Sequence, residues 1–242
     1  MKKRNTERVA TVERTTKETS VKISLNLDGT GKAEVETGIG FFNHMLEGFT
    51  RHSFMDADIL TNGDLEVDCH HTIEDTGLTL GKAIREALGN KEGIRRFGSA
   101  IVPMDDALVL CAIDLSGRPY LNFEVPFTVE RIGDFDTEMA REFFLALSNE
   151  AGMNVHLKLL AGSNNHHICE CTFKAFARAL ADAVSYDPIK RDSDHEGCSV
   201  RRLISSHKIC MISTSLIGIE IIQEQSCRQN ENCRQIFEEK KI

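Results

Sequence analysis

The sequence predicts an α+β protein made of two duplicated halves. The pentapeptide His-His-x-x-Glu occurs at residues 70–74 and again at residues 166–170, 96 positions later (166 − 70). Amphipathic segments with apolar residues at steps of three and four follow each copy, and short strand-like runs precede it. Each half is therefore predicted to run strand, helix, strand, loop, helix.

The helices follow from the repeat itself. Directly after the two pentapeptides, matching apolar positions predict helices over residues 72–88 and 168–184. Farther upstream, residues 41–49 resemble residues 139–147 at an offset of 98, which predicts an earlier helix in each half. Chance similarity between amphipathic helices would not also place a histidine–glutamate pentapeptide at matched positions.

The strands are predicted from short runs of β-branched and apolar residues between turn signals. In the first half and the middle of the chain they cover residues 8–14, 20–26, 32–36, 56–60, 65–68, 107–115, 120–125 and 128–132. Residues 153–158 match residues 55–60 through the repeat. The turn at residues 26–31 is predicted to form a hairpin, and a second turn at residues 114–120 presents an arginine.

Charge and hydropathy limit the classes of function. The 242 residues carry a net charge of −8, which argues against nucleic-acid binding, and no apolar run of 18 residues predicts a membrane span. Residues 1–8 are charged and lack the apolar segment of a secretory signal. We therefore expect a cytoplasmic protein whose eight cysteines are reduced.

Imidazole and carboxylate groups on one helix face are typical of a divalent metal site. Residues three and four apart share a helix face, so the glutamate of each pentapeptide can meet both of its histidines. The earlier helices add His44 and, at the matching position, Glu142. These donors suit Mn, Fe, Co, Ni or Zn. The predicted metal ligands are His44, His70, His71, Glu74, Glu142, His166, His167 and Glu170.

Eight sequence blocks occur in a characteristic order between residues 6 and 188. They lie at residues 14–19, 25–31, 38–46, 68–75, 93–98, 114–120, 161–167 and 173–180. Their order resembles the imidazoleglycerol-phosphate dehydratase family of histidine biosynthesis. The resemblance implies that each half has a four-stranded sheet and two helices, similar to the second domain of ribosomal protein S5.

The resemblance also implies an activity. Family members dehydrate D-erythro-imidazole-glycerol phosphate to imidazole-acetol phosphate, use two Mn ions per active site, and form a homo-oligomeric shell of twenty-four subunits with sites between subunits. The metal-bound substrate imidazole is expected to react as imidazolate, while a positioned group removes the carbon-bound proton. A small-molecule phosphate and further copies of the chain are the expected partners.

Carried over by position, the resemblance divides the ligands between two metals. One set comprises His44, His71, His166 and Glu170, and the other comprises His70, Glu74, Glu142 and His167. Many relatives have histidine where this chain has Glu142, so altered metal affinity is expected. Because the sites lie between subunits, neither set need converge within one chain.

Further side chains match positions that contact the substrate. Glu18 and His52 are candidate acid–base groups, with Glu170 as a third catalytic candidate, and the group that removes the proton stays open. The substrate-binding candidates are Glu18, His44, His52, Arg96, Arg118 and Lys174. A guanidinium fork suits a phosphate. By pattern alone, a solvated charge or a structural histidine is the more common role for such residues.

The predicted halves cover residues 1–92 and 93–188, and residues 189–242 form an atypical tail compatible with disorder. The tail lacks the Pro-Ser-Ser/Thr-Lys-Gly segment with which relatives hold the phosphate. One alternative is therefore a metal-binding assembly impaired in catalysis. A second, from the ligands alone, is a dinuclear metallohydrolase.

Four tail residues could also fit a small zinc site: His195, Cys198, His207 and Cys210.

Overall fold

The first half folds into a four-stranded sheet and two helices in the computed structural model, which describes residues 7–187. Its elements are β1 (Val9–Thr15), β2 (Thr19–Asn26), β3 (Ala33–Glu36), α1 (Gly40–Ser53), β4 (Asp56–Gly63) and α2 (His70–Leu88). The strand order is β1-β2-β4-β3, in which only the β3–β4 pair is parallel.

The second half repeats this arrangement with one insertion. Its elements are β5 (Phe97–Met104), β6 (Ala107–Asp114), β7 (Tyr120–Glu124), β8 (Arg131–Ile132), β9 (Phe135–Asp136), α3 (Met139–Ala151), β10 (Asn154–Ala161) and α4 (Asn165–Val184). The strand order β5-β6-β10-β7 matches that of the first sheet. Matching strands of the two halves are 88 positions apart before the β8–β9 ribbon (β2 and β6, 107 − 19) and 98 positions apart after it (β4 and β10, 154 − 56). The inserted ribbon explains this increase. The predicted duplicated α+β fold is confirmed.

The predicted hairpin at residues 26–31 is wrong. β4 lies between β2 and β3 and pairs with both, so the turn crosses the end of β4 instead of joining neighbouring strands. Asp56, the first residue of β4, fixes this crossing because its Oδ1 accepts the backbone N–H groups of Thr30 at 2.7 Å and Lys32 at 2.9 Å. A carboxylate from a distant segment thus overrides the local turn signal.

The predicted strand at residues 65–68 is wrong, the one at residues 128–132 is right only at its end, and β5 and β9 were not predicted. Residues 65–67 form a turn, in which the N–H of Val67 donates to the carbonyl of Asp64 at 2.8 Å. Of residues 128–132, only Arg131–Ile132 are extended. β5 was missed because Gly98 and Pro103 interrupt its strand-forming residues.

The helices pair across the two halves. α1 packs on α4, and α2 packs on α3, so each pair contains one helix from each repeat. Phenylalanines from α1, α3 and α4 share the centre: Phe144 lies 4.9 Å from Phe173 and 5.1 Å from Phe176 between ring centroids, and Phe49 lies 5.9 Å from Phe176. The repeats therefore bury one common hydrophobic core.

The described residues all belong to one compact unit of the chain. The predicted tail at residues 189–242, with its four candidate zinc ligands, lies outside the described residues. Between residues 7 and 187, no helix combines the length and apolar character needed to cross a membrane.

Candidate metal centre

Three predicted ligands from the two halves converge at the contact between α1 and α4. His44 Nε2 and His166 Nε2 lie 3.3 Å and 3.2 Å from Glu170 Oε2, and one donor atom of each residue lies within 4.8 Å of the others. Both imidazoles are exposed on one side, whereas Glu170 is buried. Among residues 7–187, this is the one group of histidine, cysteine and acidic side chains whose spacing could hold a metal ion.

Lys174 and Phe41 orient this cluster. Lys174 Nζ donates to Glu170 Oε1 at 2.7 Å, which leaves Oε2 facing the two imidazoles. Phe41 packs edge-on against His166, with 5.1 Å between ring centroids, and also contacts His44. Burial alone would raise the pKa of Glu170, but Lys174 and His44 outweigh it, so the pKa lies below its ordinary value. An ionised carboxylate beside two imidazole nitrogens is a suitable donor set for a divalent transition metal.

The first turns of all four helices gather around residues 125–137. The N–H of Gly40, at the start of α1, donates to Asp134 at 2.9 Å, and Cys69, just before α2, lies 3.5 Å from Asp136 through its Sγ. α3 and α4 begin beside the same segment. Because every predicted metal ligand lies in the first two turns of one of these helices, the fold brings all eight to the surroundings of this segment.

The other predicted ligands do not join the cluster. His70 Nε2 lies 3.6 Å from Glu74 Oε2, His71 Nδ1 lies 3.0 Å from Asp64 Oδ2, His167 Nδ1 lies 2.8 Å from Asp106 Oδ1, and Glu142 Oε1 lies 2.7 Å from Arg141 Nη1. Neither predicted four-residue set therefore converges within one chain.

Glu18 lies near His71, at the turn between β1 and β2. The turn is fastened to α2 because Thr19 Oγ1 donates to the buried carboxylate of Asp75. The pKa of His71 is raised, mainly by its hydrogen bond to Asp64 and to a smaller extent by the charge of Glu18. Glu18 thus lies near His71, one of the predicted ligands.

His52 and Lys174 accompany the cluster along α1 and α4. The pKa of His52 is lowered, first by burial and then by the positive charges of Lys174 and Arg178. His52 is therefore mainly neutral near pH 7 and can accept a proton. Of the predicted substrate contacts, Lys174 and His52 lie beside the candidate metal centre, and His44 is part of it.

Arg96 and Arg118 lie far from the cluster of their own chain. The N–H of Arg96 donates to the carbonyl of Ala183, which is about 20 Å along α4 from Glu170 at 1.5 Å per residue. The guanidinium of Arg96 binds Asp114 through Nε at 2.7 Å and Nη2 at 3.2 Å. Arg118 sits in the turn before β7, at the same end of the second sheet.

Two aspartates at the candidate ligands were not predicted from the sequence. Asp64 precedes the first histidine pair by six residues (70 − 64), so an acidic residue just before the motif was an available signal. Asp106 belongs to the β5–β6 turn and contacts His167 across 61 positions of sequence. No local pattern links two residues so far apart.

Comparison with known proteins decides the family. A family model described as imidazoleglycerol-phosphate dehydratase matches residues 37–180, which include all eight predicted metal ligands. The chain belongs to the imidazoleglycerol-phosphate dehydratase family. The dehydratase of Lachnoclostridium phytofermentans is 59% identical over 181 residues, which cover 75% of this chain and 92% of that protein. The dehydratase of Roseobacter denitrificans is 54% identical over 182 residues, covering 75% and 93%.

Solved structures of imidazoleglycerol-phosphate dehydratases have the same fold. The crystal structure of the Staphylococcus aureus dehydratase is 38% identical with a TM-score of 0.68, and the match covers 74% of this chain and 99% of that one. The Pyrococcus furiosus dehydratase in complex with (S)-C348 is also 38% identical, with a TM-score of 0.65 and coverage of 73% and 95%. The predicted enzyme class is confirmed: this dehydratase family member is a carbon–oxygen hydro-lyase of histidine biosynthesis.

Proposed function

We propose that the chain dehydrates D-erythro-imidazole-glycerol phosphate to imidazole-acetol phosphate with two Mn ions per active site. The meeting of His44, His166 and Glu170 at the α1–α4 contact is the observation that carries this proposal. The reaction breaks one carbon–hydrogen bond and one carbon–oxygen bond, releases water, and leaves an enol that becomes the ketone. The proton lies on an unactivated carbon, so an isolated base is not sufficient.

The donor set fits the metal that the family requires. When bound, the Mn pair would favour the deprotonated form of the substrate imidazole and so assist departure of the neighbouring hydroxyl. His44, His71, His166 and Glu170 would hold one ion, and His70, Glu74, Glu142 and His167 the other. Three donors of the first set already lie together, which supports the assignment.

Proton transfer is assigned to side chains beside the ligands. His52 accepts a proton most readily in its neutral form, and burial together with Lys174 and Arg178 favours that form. Glu18, near His71, is the second candidate for holding or releasing a proton. Lys174 forms an ion pair with the ionised Glu170 beside the candidate metal centre, where its positive charge can also attract the substrate phosphate.

The substrate phosphate would be bound by residues of more than one copy. Arg96 and Arg118 lie at the opposite end of the second sheet from His166. The cluster of one chain can therefore use these two arginines only from another copy. His71 contacts Asp64 and is the one member of its proposed set that does not lie with His44, His166 and Glu170, so a second copy would have to supply it as well. We therefore include in the proposal a cytoplasmic homo-oligomer whose sites are shared between subunits.

Turnover with defined metal tests the proposal. Metal-free protein should convert imidazole-glycerol phosphate to the ketone only after Mn²⁺ is added, and H166A should lose activity by about 100-fold or more. H156A is the matched control, because His156 packs on Tyr120 at the outer face of the second sheet. Metal binding without product would favour the catalytically impaired assembly, which the close relationship to named dehydratases does not favour. Product only from phosphate esters would favour a hydrolase.

A further inference from the structure

The second histidine of each pair is held differently from the first. His70 and His166 turn Nε2 toward the glutamate of their own pentapeptide. His71 and His167 instead present Nδ1 to an aspartate: 3.0 Å from Asp64 Oδ2 for His71, and 2.8 Å from Asp106 Oδ1 for His167. When Nδ1 carries the proton and donates it to a carboxylate, Nε2 keeps its lone pair.

Asp106 is itself fixed by the backbone. Its Oδ2 accepts the N–H of Ser163 at 2.7 Å and the N–H of Asn164 at 3.0 Å, while Oδ1 faces His167. Asn164 in turn caps α4. On the Nε2 side of His167, the exposed carboxylate of Asp105 lies 3.5 Å away, at the outer limit for a hydrogen bond. The ring is thus anchored through Nδ1.

The two aspartates are not equivalent in the repeat. At the offset of 98 that relates β4 to β10, the position matching Asp64 is Gly162, directly after β10 (64 + 98). Asp64 comes from the loop after β4, whereas Asp106 comes from the β5–β6 turn. Two unrelated segments have therefore supplied the same group to the same ring nitrogen. At the offset of 88 that relates β2 to β6, the position matching Asp106 is Glu18, which lies near His71 (106 − 88), so the turn before each second strand carries an acidic residue near the second histidine.

We propose that Asp64 and Asp106 are positioning residues that fix His71 and His167 in the Nδ1–H form, with Nε2 directed to the metal. The inference rests on the metal ligands assigned under the proposed function. A carboxylate behind a metal-binding histidine sets both the ring orientation and the tautomer, and its loss typically weakens metal binding about 10- to 100-fold.

Asparagine substitutions test the tautomer directly. A carboxylate can only accept from Nδ1–H, whereas an amide can accept through its oxygen or donate through its NH₂, so asparagine removes the exclusive support for the Nδ1–H form and admits the Nε2–H form, which cannot bind a metal through Nε2. We expect D64N and D106N, titrated as metal-free full-length protein with Mn²⁺, to bind about 10- to 100-fold more weakly than the wild type. D58N is the matched control, because Asp58 is an exposed aspartate on β4, the strand before Asp64.

A spectroscopic readout separates positioning from folding. Pulsed electron paramagnetic resonance of bound Mn²⁺ should report fewer coupled histidine nitrogens in D64N, which a general loss of stability would not cause. Asp106 also holds the loop before α4, so D64N decides the question if D106N folds poorly. Wild-type affinity and nitrogen coupling in a folded D64N protein would overturn the inference. Absence of Mn²⁺ binding by the wild type would instead overturn the proposed function.

Discussion

Glu170 joins the two repeats at the candidate site, because it meets one histidine from each half. Its carboxylate is buried, yet the ion pair with Lys174 keeps it charged. The charged carboxylate and the two imidazoles can therefore bind the same metal cation. The pentapeptide made the pairing of Glu170 with His166 predictable from local spacing. The internal repeat indicated His44 as a ligand, and only the resemblance to the family grouped it with His166 and Glu170.

Removal of the Glu170 charge should abolish metal-supported turnover. E170Q keeps the shape of the side chain but leaves Lys174 without its partner and gives the metal a weaker donor. We expect kcat/KM to fall by about 100-fold or more. E150Q, at an exposed glutamate of α3 that pairs with Arg85, should retain wild-type activity. Equal loss in both variants would remove Glu170 from the site.

The charge of Arg178 should influence the pH below which activity declines, because it lowers the pKa of His52. This charge helps to hold the pKa of His52 below the ordinary value, after burial and Lys174. Loss of the charge in R178M raises that pKa, so His52 becomes protonated at a higher pH. The pH below which kcat/KM declines should therefore move upward, whereas R85M, far along α2, should leave it unchanged. An unchanged profile in R178M would argue against His52 as the base.

At the scale of elements, glycines in α2 allow that helix to pack closely against α3. A Cβ added to Gly81 of α2 would lie 2.5 Å from the carbonyl oxygen of Leu147 in α3, and one added to Gly77 would lie 2.8 Å from that of Phe143. Only glycine allows this backbone contact. In α1, by contrast, a Cβ on Gly48 would meet no atom within 4 Å.

Alanine at these two glycines should therefore change stability in opposite directions. G81A forces α2 away from α3 and should lower the free energy of unfolding by about 1–3 kcal/mol. G48A places a better helix former in open space and should raise it by about 0.5–1 kcal/mol. Urea unfolding followed by circular dichroism measures both. A stabilising G81A would mean that the two helices can separate without cost.

The helices were more predictable than the strand connections. Apolar spacing and the repeat located all four helices, because those signals lie within each segment. The β2–β4–β3 order was not predictable from the turn at residues 26–31, since Asp56 imposes it from 24 to 26 positions away. The β8–β9 ribbon was detectable only as a change of offset, and its contacts with the starts of α1 and α2 depend on the assembled fold.

At the scale of the whole molecule, each helix of one repeat packs against a helix of the other repeat. We keep residues 1–92 and 93–188 as the proposed repeat units, but α1–α4 and α2–α3 each combine both units. This pairing places His44 beside His166 and Glu170. No sequence pattern within one half could have predicted that contact. The residues indicated the ligand types and the resemblance implied sites shared between copies, whereas the structure was needed to show which ligands meet within one chain.

Mixed oligomers test whether sites are shared between copies. H71A and H166A should each be inactive alone. If His71 serves the α1–α4 cluster of another copy, random assembly of the two variants at equal amounts should restore about a quarter of the wild-type activity. Assembly of H166A with E170Q, both altered in the same cluster, is the control and should restore none. No recovery in the first mixture would place each site within one chain.

Anomalous diffraction at the manganese edge, from crystals of the protein grown with Mn²⁺, tests the central claim most directly. The account predicts an anomalous peak within bonding distance of His44 Nε2, His166 Nε2 and the Glu170 carboxylate. Crystals in which these three side chains are ordered, Mn²⁺ is present, and no peak lies beside them would contradict it.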